Sequence, residues 1–432
     1  MTQATAAAPD KNMTTRWFIL IALVVAMMAV ANPQYAWTLF TTDLRKDFNA
    51  SLAAVQLALT LFIAVQTWLV PVETYLVDRF GPRWIMTAGG AILALSWWMT
   101  SQVQSLSVFY LTYAIGGIGV GTIYGASIGM AAKWFPDRRG LAAGMVAGSY
   151  GFGTLFTVLP IQNSLDANGW RQTFLVAGLV MGVVIIIASQ FVRAPELGWK
   201  PAGWVPKTSG KGLLQNTRNY TPGQMMKTAP FYVLYLMMTM VAFGGMMVTA
   251  QLKPIGVSYG YDKYMVLGMS AVSLALMLDR ALNGFTRPMW GYISDRIGRY
   301  NTMALAFGLE AIMISIFAYM IKSPIAFIIM SGMTFFAWGE IYSLFPSAIT
   351  DVYGSKYASS NYGIQYTSKG VATLLAGPGA ALLMEWAGSW LPVFYCAVAM
   401  DAIAAVLAFF WLKPMVARLI AEGNSQAKSA AS

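Results

Sequence analysis

The chain has 432 residues, 57% of them apolar or aromatic and only 10% charged, with a mean hydropathy of +0.58. Soluble globular proteins carry about 25% charged residues, so soluble enzymes and nucleic-acid binders are excluded, and the net charge of +11 is read as membrane topology. A single cysteine, Cys396, rules out a disulfide framework or cysteine metal site; the absence of histidine rules out His catalysis, His ligation and a histidine proton relay.

Twelve stretches long enough to cross a bilayer follow one another, at roughly 17–40, 51–77, 84–102, 107–134, 141–164, 171–192, 230–252, 265–293, 302–321, 325–350, 362–386 and 390–412. The first begins straight after Arg16 without a small-residue cleavage site, so it reads as a retained helix rather than a signal peptide. Between the sixth and seventh lies one long polar stretch. It carries Lys200, Lys207, Lys211, Arg218 and Lys227 against Glu196, with several prolines. The expected organisation is therefore an N-terminal six-helix bundle (1–192), a linker (193–229) and a C-terminal six-helix bundle with its tail (230–432).

Orientation follows from the basic residues. With both termini in the cytoplasm, 19 Lys and Arg fall on cytoplasmic segments, six on external loops and three inside spans. That asymmetry predicts cytoplasmic termini by the positive-inside rule.

The two halves also repeat. Asp78-Arg79-Phe80-Gly81-Pro82-Arg83 follows span 2, and Asp295-Arg296-Ile297-Gly298-Arg299-Tyr300 follows span 8, an offset of 217 residues. At the same offset Pro71 falls on Pro288, and Tyr124 lands within one residue of Tyr342. A six-span internal repeat is the trace of a two-bundle transporter with its site at the midplane. The predicted fold is an all-α membrane protein of twelve transmembrane helices in two pseudo-symmetric bundles.

The stretch Gly291-Tyr292-Ile293-Ser294-Asp295-Arg296-Ile297-Gly298-Arg299-Tyr300 resembles the signature loop of the major facilitator superfamily. The first-half copy departs from it, with Thr74 in place of the glycine and Pro82 intruding. In this reading Asp78, Arg79, Asp295 and Arg296 lock the bundles together at the cytoplasmic side. Within that superfamily the chain resembles the oxalate/formate antiporters over nearly its whole length. The matching segments are Gln34-Tyr35-Ala36-Trp37-Thr38-Leu39, Ser51 to Gln56, Tyr124-Gly125, Trp134-Phe135-Pro136-Asp137, Arg287-Pro288 and Asn361-Tyr362-Gly363 running on to Lys369. The resemblance implies that Arg287 and Lys369 are an anion-binding pair. It also implies a cage of Tyr35, Tyr124, Tyr150, Trp338 and Tyr342, with Gln34 and Gln56 as polar partners.

The residues support this independently. A charge at the bilayer centre costs about 2.5–3.5 kcal/mol on insertion scales, so it faces a bundle interior and marks a pathway. The planar guanidinium of Arg287 matches a carboxylate bidentately, while the ammonium of Lys369 is a compact point charge. One on each side would hold both ends of a small dicarboxylate.

Departures from the family pattern bear on the substrate. Glu73 and Glu340 stand where the family favours glycine, Asp279-Arg280 replaces an uncharged pair, and Tyr366 stands where the family favours tryptophan. Arg280 is seven residues before Arg287, two turns away on nearly the same face, which predicts a second pathway cation that Asp279 would neutralise. Glu310, Glu385 and Asp401 are further carboxylates within spans.

The expected function is exchange of small carboxylate anions by alternating access in a bacterial-type inner membrane, without cofactor, metal or nucleic-acid partner, as a monomer. The alternative is proton-coupled symport of a monocarboxylate or other organic acid, with Glu73, Asp279 or Glu340 as the proton site. A transporter-like sensor would need a soluble output domain larger than the 37-residue linker, and no nucleophile–base set supports an enzyme. Gly144, Gly148, Gly151 and Gly153 in span 5 and Gly370, Gly377 and Gly379 in span 11 predict close helix contact.

Overall fold

The computed structural model describes residues 11–50, 52–196, 198–201, 204 and 215–429. The first span is broken into α1 (Lys11–Val30), α2 (Asn32–Tyr35) and α3 (Trp37–Asp47), with Pro33 in the first turn of the short middle piece. The second consists of α4 (Leu52–Trp68) and α5 (Val70–Phe80), bent by 42° just before Pro71, where a proline has no N–H to continue the ladder. Then come α6 (Pro82–Ser101) and α7 (Leu106–Trp134). Spans five and six run through α8 (Arg139–Gln190), which turns at Gly169 with φ +75°, a conformation glycine adopts at no steric cost.

The linker holds one short helix, α9 (Pro222–Met225). The second half opens with α10 (Ala229–Ser258) and a small antiparallel hairpin, β1 (Met265–Val266) with β2 (Met269–Ser270). Span 8 is α11 (Ala271–Ile297), beginning six residues later than expected, because Ser270 caps its first turn after that hairpin. There follow α12 (Arg299–Met320), then α13 (Pro324–Trp338) and α14 (Ile341–Tyr353) broken at Gly339-Glu340. Span 11 is α15 (Ala358–Leu374) continued through a π-turn (Leu375–Gly379) into α16 (Ala380–Ala387). Span 12 joins α17 (Leu391–Val406) through another π segment (Leu407–Leu412) to α18 (Lys413–Ser429).

Twelve spans in two six-helix halves result. Among the described residues eight helices are apolar and long enough to cross a membrane unaided, or nine counting the bent α4–α5 pair. One that does not qualify is α11, which carries Asp279, Arg280 and Arg287. Large apolar side chains face outward, such as Leu111, Val180, Ile187, Phe410 and Trp386, as a lipid solvent allows and water does not.

The repeat holds in backbone geometry at its turn to within 10°. Gly81 has φ +87°, ψ 156° and Gly298 has φ +94°, ψ 152°. Each ends its helix with an N–H donated to the carbonyl four residues back, Val77 and Ser294 respectively.

The first turns of α1, the α7–α8 turn, the linker, the end of α14 and α18 meet at one end of the molecule. Arg16 pairs with Asp137 at 2.9 Å, Gln215 donates to the Pro136 carbonyl, the Asn216 N–H donates to the Asp351 carbonyl, and Asn424 accepts from the Thr217 N–H. We refer to this end as the linker face.

The halves touch along two seams, α8 against α11 and α5 against α15. Glycines line the first. A Cβ at Gly144 would strike the Arg287 carbonyl, one at Gly148 would lie 2.6 Å from the Gly284 carbonyl oxygen, and one at Gly151 would lie 3.1 Å from the Gly284 Cα. Gly363 and Gly370 play the same part on the second seam, against Thr74 and Trp68. Gly153 instead packs on Met28 within its own half, and Gly377 has open space around it. Gly148→Ala is therefore expected to overpack the seam by about 1–3 kcal/mol. A lowered thermal unfolding midpoint in detergent, with reduced transport, checks this; an unchanged midpoint counts against close seam packing.

Candidate functional site

Between the halves lies a pocket lined by Gln34, Tyr35, Tyr124, Tyr150, Met246, Arg287, Trp338, Tyr342 and Lys369. Arg287 is 1% exposed. Its Nε and Nη2 donate to Asn283 Oδ1 at 3.1 and 2.7 Å, and its Nη1 donates across the seam to the Ala147 carbonyl at 2.6 Å. The i,i+4 spacing of Asn283 and Arg287 on one helix makes the first contact automatic. Lys369 is 3% exposed and donates to the Tyr366 hydroxyl at 2.9 Å. The Tyr342 ring serves both cations, with Arg287 4.5 Å and Lys369 5.9 Å from its centroid. Among the described residues neither cation has a carboxylate partner in an ion pair.

The aromatics form a continuous wall. Tyr35 and Tyr150 meet edge-on at 5.2 Å, Tyr150 and Tyr124 at 5.5 Å, Tyr342 and Trp338 at 5.3 Å, and Tyr124 stacks on Tyr366 at 4.7 Å. Such pairs hold their geometry beyond simple burial. Trp338 is tied by its Nε1–H to the Val241 carbonyl at 3.1 Å. Tyr150 donates to Gln34 Oε1 at 3.0 Å and accepts from Gln66 Nε2 at 3.3 Å. Gln66 and Asn283 are thus polar members of the site that the motif pattern did not single out. The side chain of Gln56 lies outside the described residues.

The remaining charged residues named from sequence separate into groups. Arg280 is half-buried with its guanidinium 4.4 Å from the Tyr35 centroid, so Tyr35 joins it to the pocket wall. Asp279 makes no ion pair with it among the described residues; it is 2% exposed and its Oδ1 has no partner. Adjacent helix positions point about 100° apart, so the two side chains do not meet in a direct ion pair. Glu73 is buried in the N-terminal half against Gly121, and Glu340 is fully buried behind the pocket wall rather than in it.

At the linker face the two motif aspartates act across the halves. Asp78 accepts from the Ser360 N–H at 2.9 Å and hydroxyl at 2.5 Å, at the start of α15, and pairs with Lys133 at 2.6 Å. Asp295 accepts from the Gly140 and Leu141 N–H groups at 3.1 and 3.0 Å, at the start of α8. Each carboxylate therefore sits on the positive end of a helix from the opposite half. Arg79 and Arg296 do not take part, contrary to the expectation from the motif. They are exposed and lie over Phe80 and Tyr292, and neither makes an ion pair among the described residues. One position beyond the aspartate they project outward, where a long cationic side chain reaches the membrane surface. The arginines of the lock are Arg139 and Arg299, both buried and both paired with Asp351, Arg299 at 2.8 Å. Arg299 also reaches Asp295 at 2.5 Å.

A sequence model described as Major Facilitator Superfamily matches residues 18–284 and 272–431, almost the entire chain. The chain belongs to the major facilitator superfamily. Within this superfamily it is 35% identical over 403 residues to the oxalate:formate antiporter of Oxalobacter formigenes, covering 93% of this chain and 92% of that protein. Monocarboxylate transporter 2 of Mus musculus is 24% identical over 396 residues, covering 87% and 79%. Among solved structures, the proton:xylose symporter XylE superposes with a TM-score of 0.68 at 14% identity, covering 93% of this chain and 96% of that one. The human organic anion transporter MFSD10 superposes with 0.67 at 13% identity, covering 93% and 100%. The fold and the relatives are those of major facilitator transporters. The protein is a multi-pass membrane transporter, not an enzyme.

Proposed function

We propose that the protein exchanges small carboxylate anions such as oxalate and formate, with Arg287 and Lys369 holding the carboxylate groups. The observation that carries this is the pair of cations buried between the halves without an ion-paired carboxylate among the described residues. The caging aromatics, Tyr35, Tyr124, Tyr150, Trp338, Tyr342 and Tyr366, bound a space suited to a small planar anion. Gln34 and Gln66 supply neutral hydrogen bonds, with Gln56 as a further polar partner.

The mechanism follows from electrostatics. Closing an empty site would bury two uncompensated cations, which is costly in a low-dielectric interior. A bound dianion, or two monoanions, cancels both charges and permits closure. The lock of Asp78, Asp295, Asp351, Arg139 and Arg299 then opens on one side as the seams close on the other. Reorientation that requires a bound anion gives obligatory exchange rather than leak. By the basic-residue bias the linker face is cytoplasmic, in a bacterial-type inner membrane, and one chain suffices as the working unit.

Oxalate uptake into proteoliposomes is expected to need internal formate or oxalate and to respond little to a pH gradient alone. Uptake driven by a pH gradient without counter-anion would replace exchange by proton-coupled symport, the reading in which Glu73, Asp279 or Glu340 carries the proton.

A further inference from the structure

Arg280 on α11 is a further cation inside a span, and it is not among the residues that line the anion pocket. It crosses from one half to the other, with its guanidinium carbon 4.4 Å from the ring centroid of Tyr35 on α2. Tyr35 does line the pocket, and it meets Tyr150 edge-on at 5.2 Å. One tyrosine ring therefore touches both Arg280 and the pocket wall.

The course of α11 sets the level of Arg280 along the pathway. The last turns of that helix dock at the linker face, where Asp295 holds the start of α8. Arg280 precedes Arg287 by seven residues, so its backbone stands about 10 Å further from the linker face. The two guanidiniums lie over different rings, Tyr35 and Tyr342. Their surroundings differ as well. Arg287 is 1% exposed and donates to Asn283 and to the Ala147 carbonyl, whereas Arg280 is half-buried. Arg280 makes no ion pair among the described residues, and the adjacent Asp279 is buried apart from it. Stacking on an aromatic ring engages the face of a guanidinium and leaves its in-plane N–H fork for a carboxylate. An arginine that served only as a lipid anchor would extend toward the headgroups; this one is stacked on a tyrosine of the opposite half.

We propose that Arg280 and Tyr35 form an outer anion station, which receives a carboxylate from the face opposite the linker and passes it by Tyr35 to Arg287 and Lys369. This rests on the assignment of those two cations to the transported anion. Being half-buried, Arg280 is not one of the enclosed charges that an anion must cancel before the halves close. It raises the local anion concentration and the rate of capture on one side. A guanidinium stays protonated throughout the working pH range, so the station adds no proton to the exchange.

Two measurements test this. Stopped-flow tryptophan fluorescence, with Trp338 in the pocket wall as a reporter, follows oxalate binding to the purified protein at low and high ionic strength. Wild-type association is expected to slow as salt is added. In Arg280→Gln it is expected to be about tenfold slower at low salt and less sensitive to salt, and Arg280→Lys should restore most of both by restoring the charge. In proteoliposomes of a single orientation, Arg280→Gln is expected to raise the KM for oxalate presented opposite the linker face and to leave the KM at the linker face unchanged. A packing role for Arg280 would slow the Gln and Lys variants alike. That result, unchanged association in Arg280→Gln, salt-insensitive association in the wild type, or an equal rise in KM on both faces overturns the station. Failure of the wild type to bind oxalate overturns the assignment of Arg287 and Lys369 instead.

Discussion

Alanine at Arg287 is expected to abolish oxalate–formate counterflow in proteoliposomes. The guanidinium is buried, holds Asn283 and the Ala147 carbonyl, and lies over Tyr342 beside the pocket. Removing one member of a buried charge pair costs about 2–5 kcal/mol, roughly a 30- to several-thousand-fold loss of anion affinity. Arg287→Lys is expected to recover little, because an ammonium cannot hold Asn283, the Ala147 carbonyl and a carboxylate in one planar fork. Lys369→Ala should weaken counterflow similarly. Binding of oxalate measured by tryptophan fluorescence separates affinity from turnover. Full exchange by both alanine variants would remove these cations from the site.

Asn at position 351 is expected to unlock the linker face. Asp351 is 2% exposed and joins Arg139 of the N-terminal half to Arg299 of the C-terminal half. Its loss leaves Arg139 without its carboxylate, while Arg299 keeps Asp295. Breaking a buried pair from one side costs about 3–5 kcal/mol, and that penalty falls on the closed arrangement alone. Cys396 is exposed, so the assay starts from Cys396→Ser. A cysteine is then placed at Ala358, 1% exposed on α15 beside the seam. Maleimide labelling there should rise by about tenfold or more in Asp351→Asn, since about 1.4 kcal/mol already shifts an equilibrium tenfold. Unchanged labelling would mean that the Asp78 and Asp295 helix caps close this face without Asp351. Both outcomes are read on the same background.

The candidate site was legible in part because its residues break a local rule. Arg287 and Lys369 are cations in apolar spans, and Asp78 and Asp295 recur at half-chain spacing, so composition and repetition expose them. Asp351 and Arg139 follow no such rule, and Arg299 enters only as a basic residue of the signature loop. At span ends they read as ordinary headgroup anchors, and only the docking of α14, α8 and α12 turns them into one buried lock. Arg79 and Arg296 show the converse: the motif contains them, but their place on the last turn points them outward. Gln66 and Asn283 look like isolated polar residues until Tyr150 and Arg287 are seen to claim them.

By itself the sequence determined that the chain lives in a membrane, crosses it twelve times, repeats itself by halves and carries cations inside its spans. These are local properties, set by hydropathy over a helix length and by prolines and glycines at breaks. The tertiary structure alone decided which charges meet. Glu310 and Asp401 stand far apart in the chain and lie together only because α12 and α17 pack around Gly244. Helical periodicity says which side chains share a face of one helix. Which helix that face meets is a property of packing, and in a low-dielectric interior that choice separates a lone buried charge from a neutralised one.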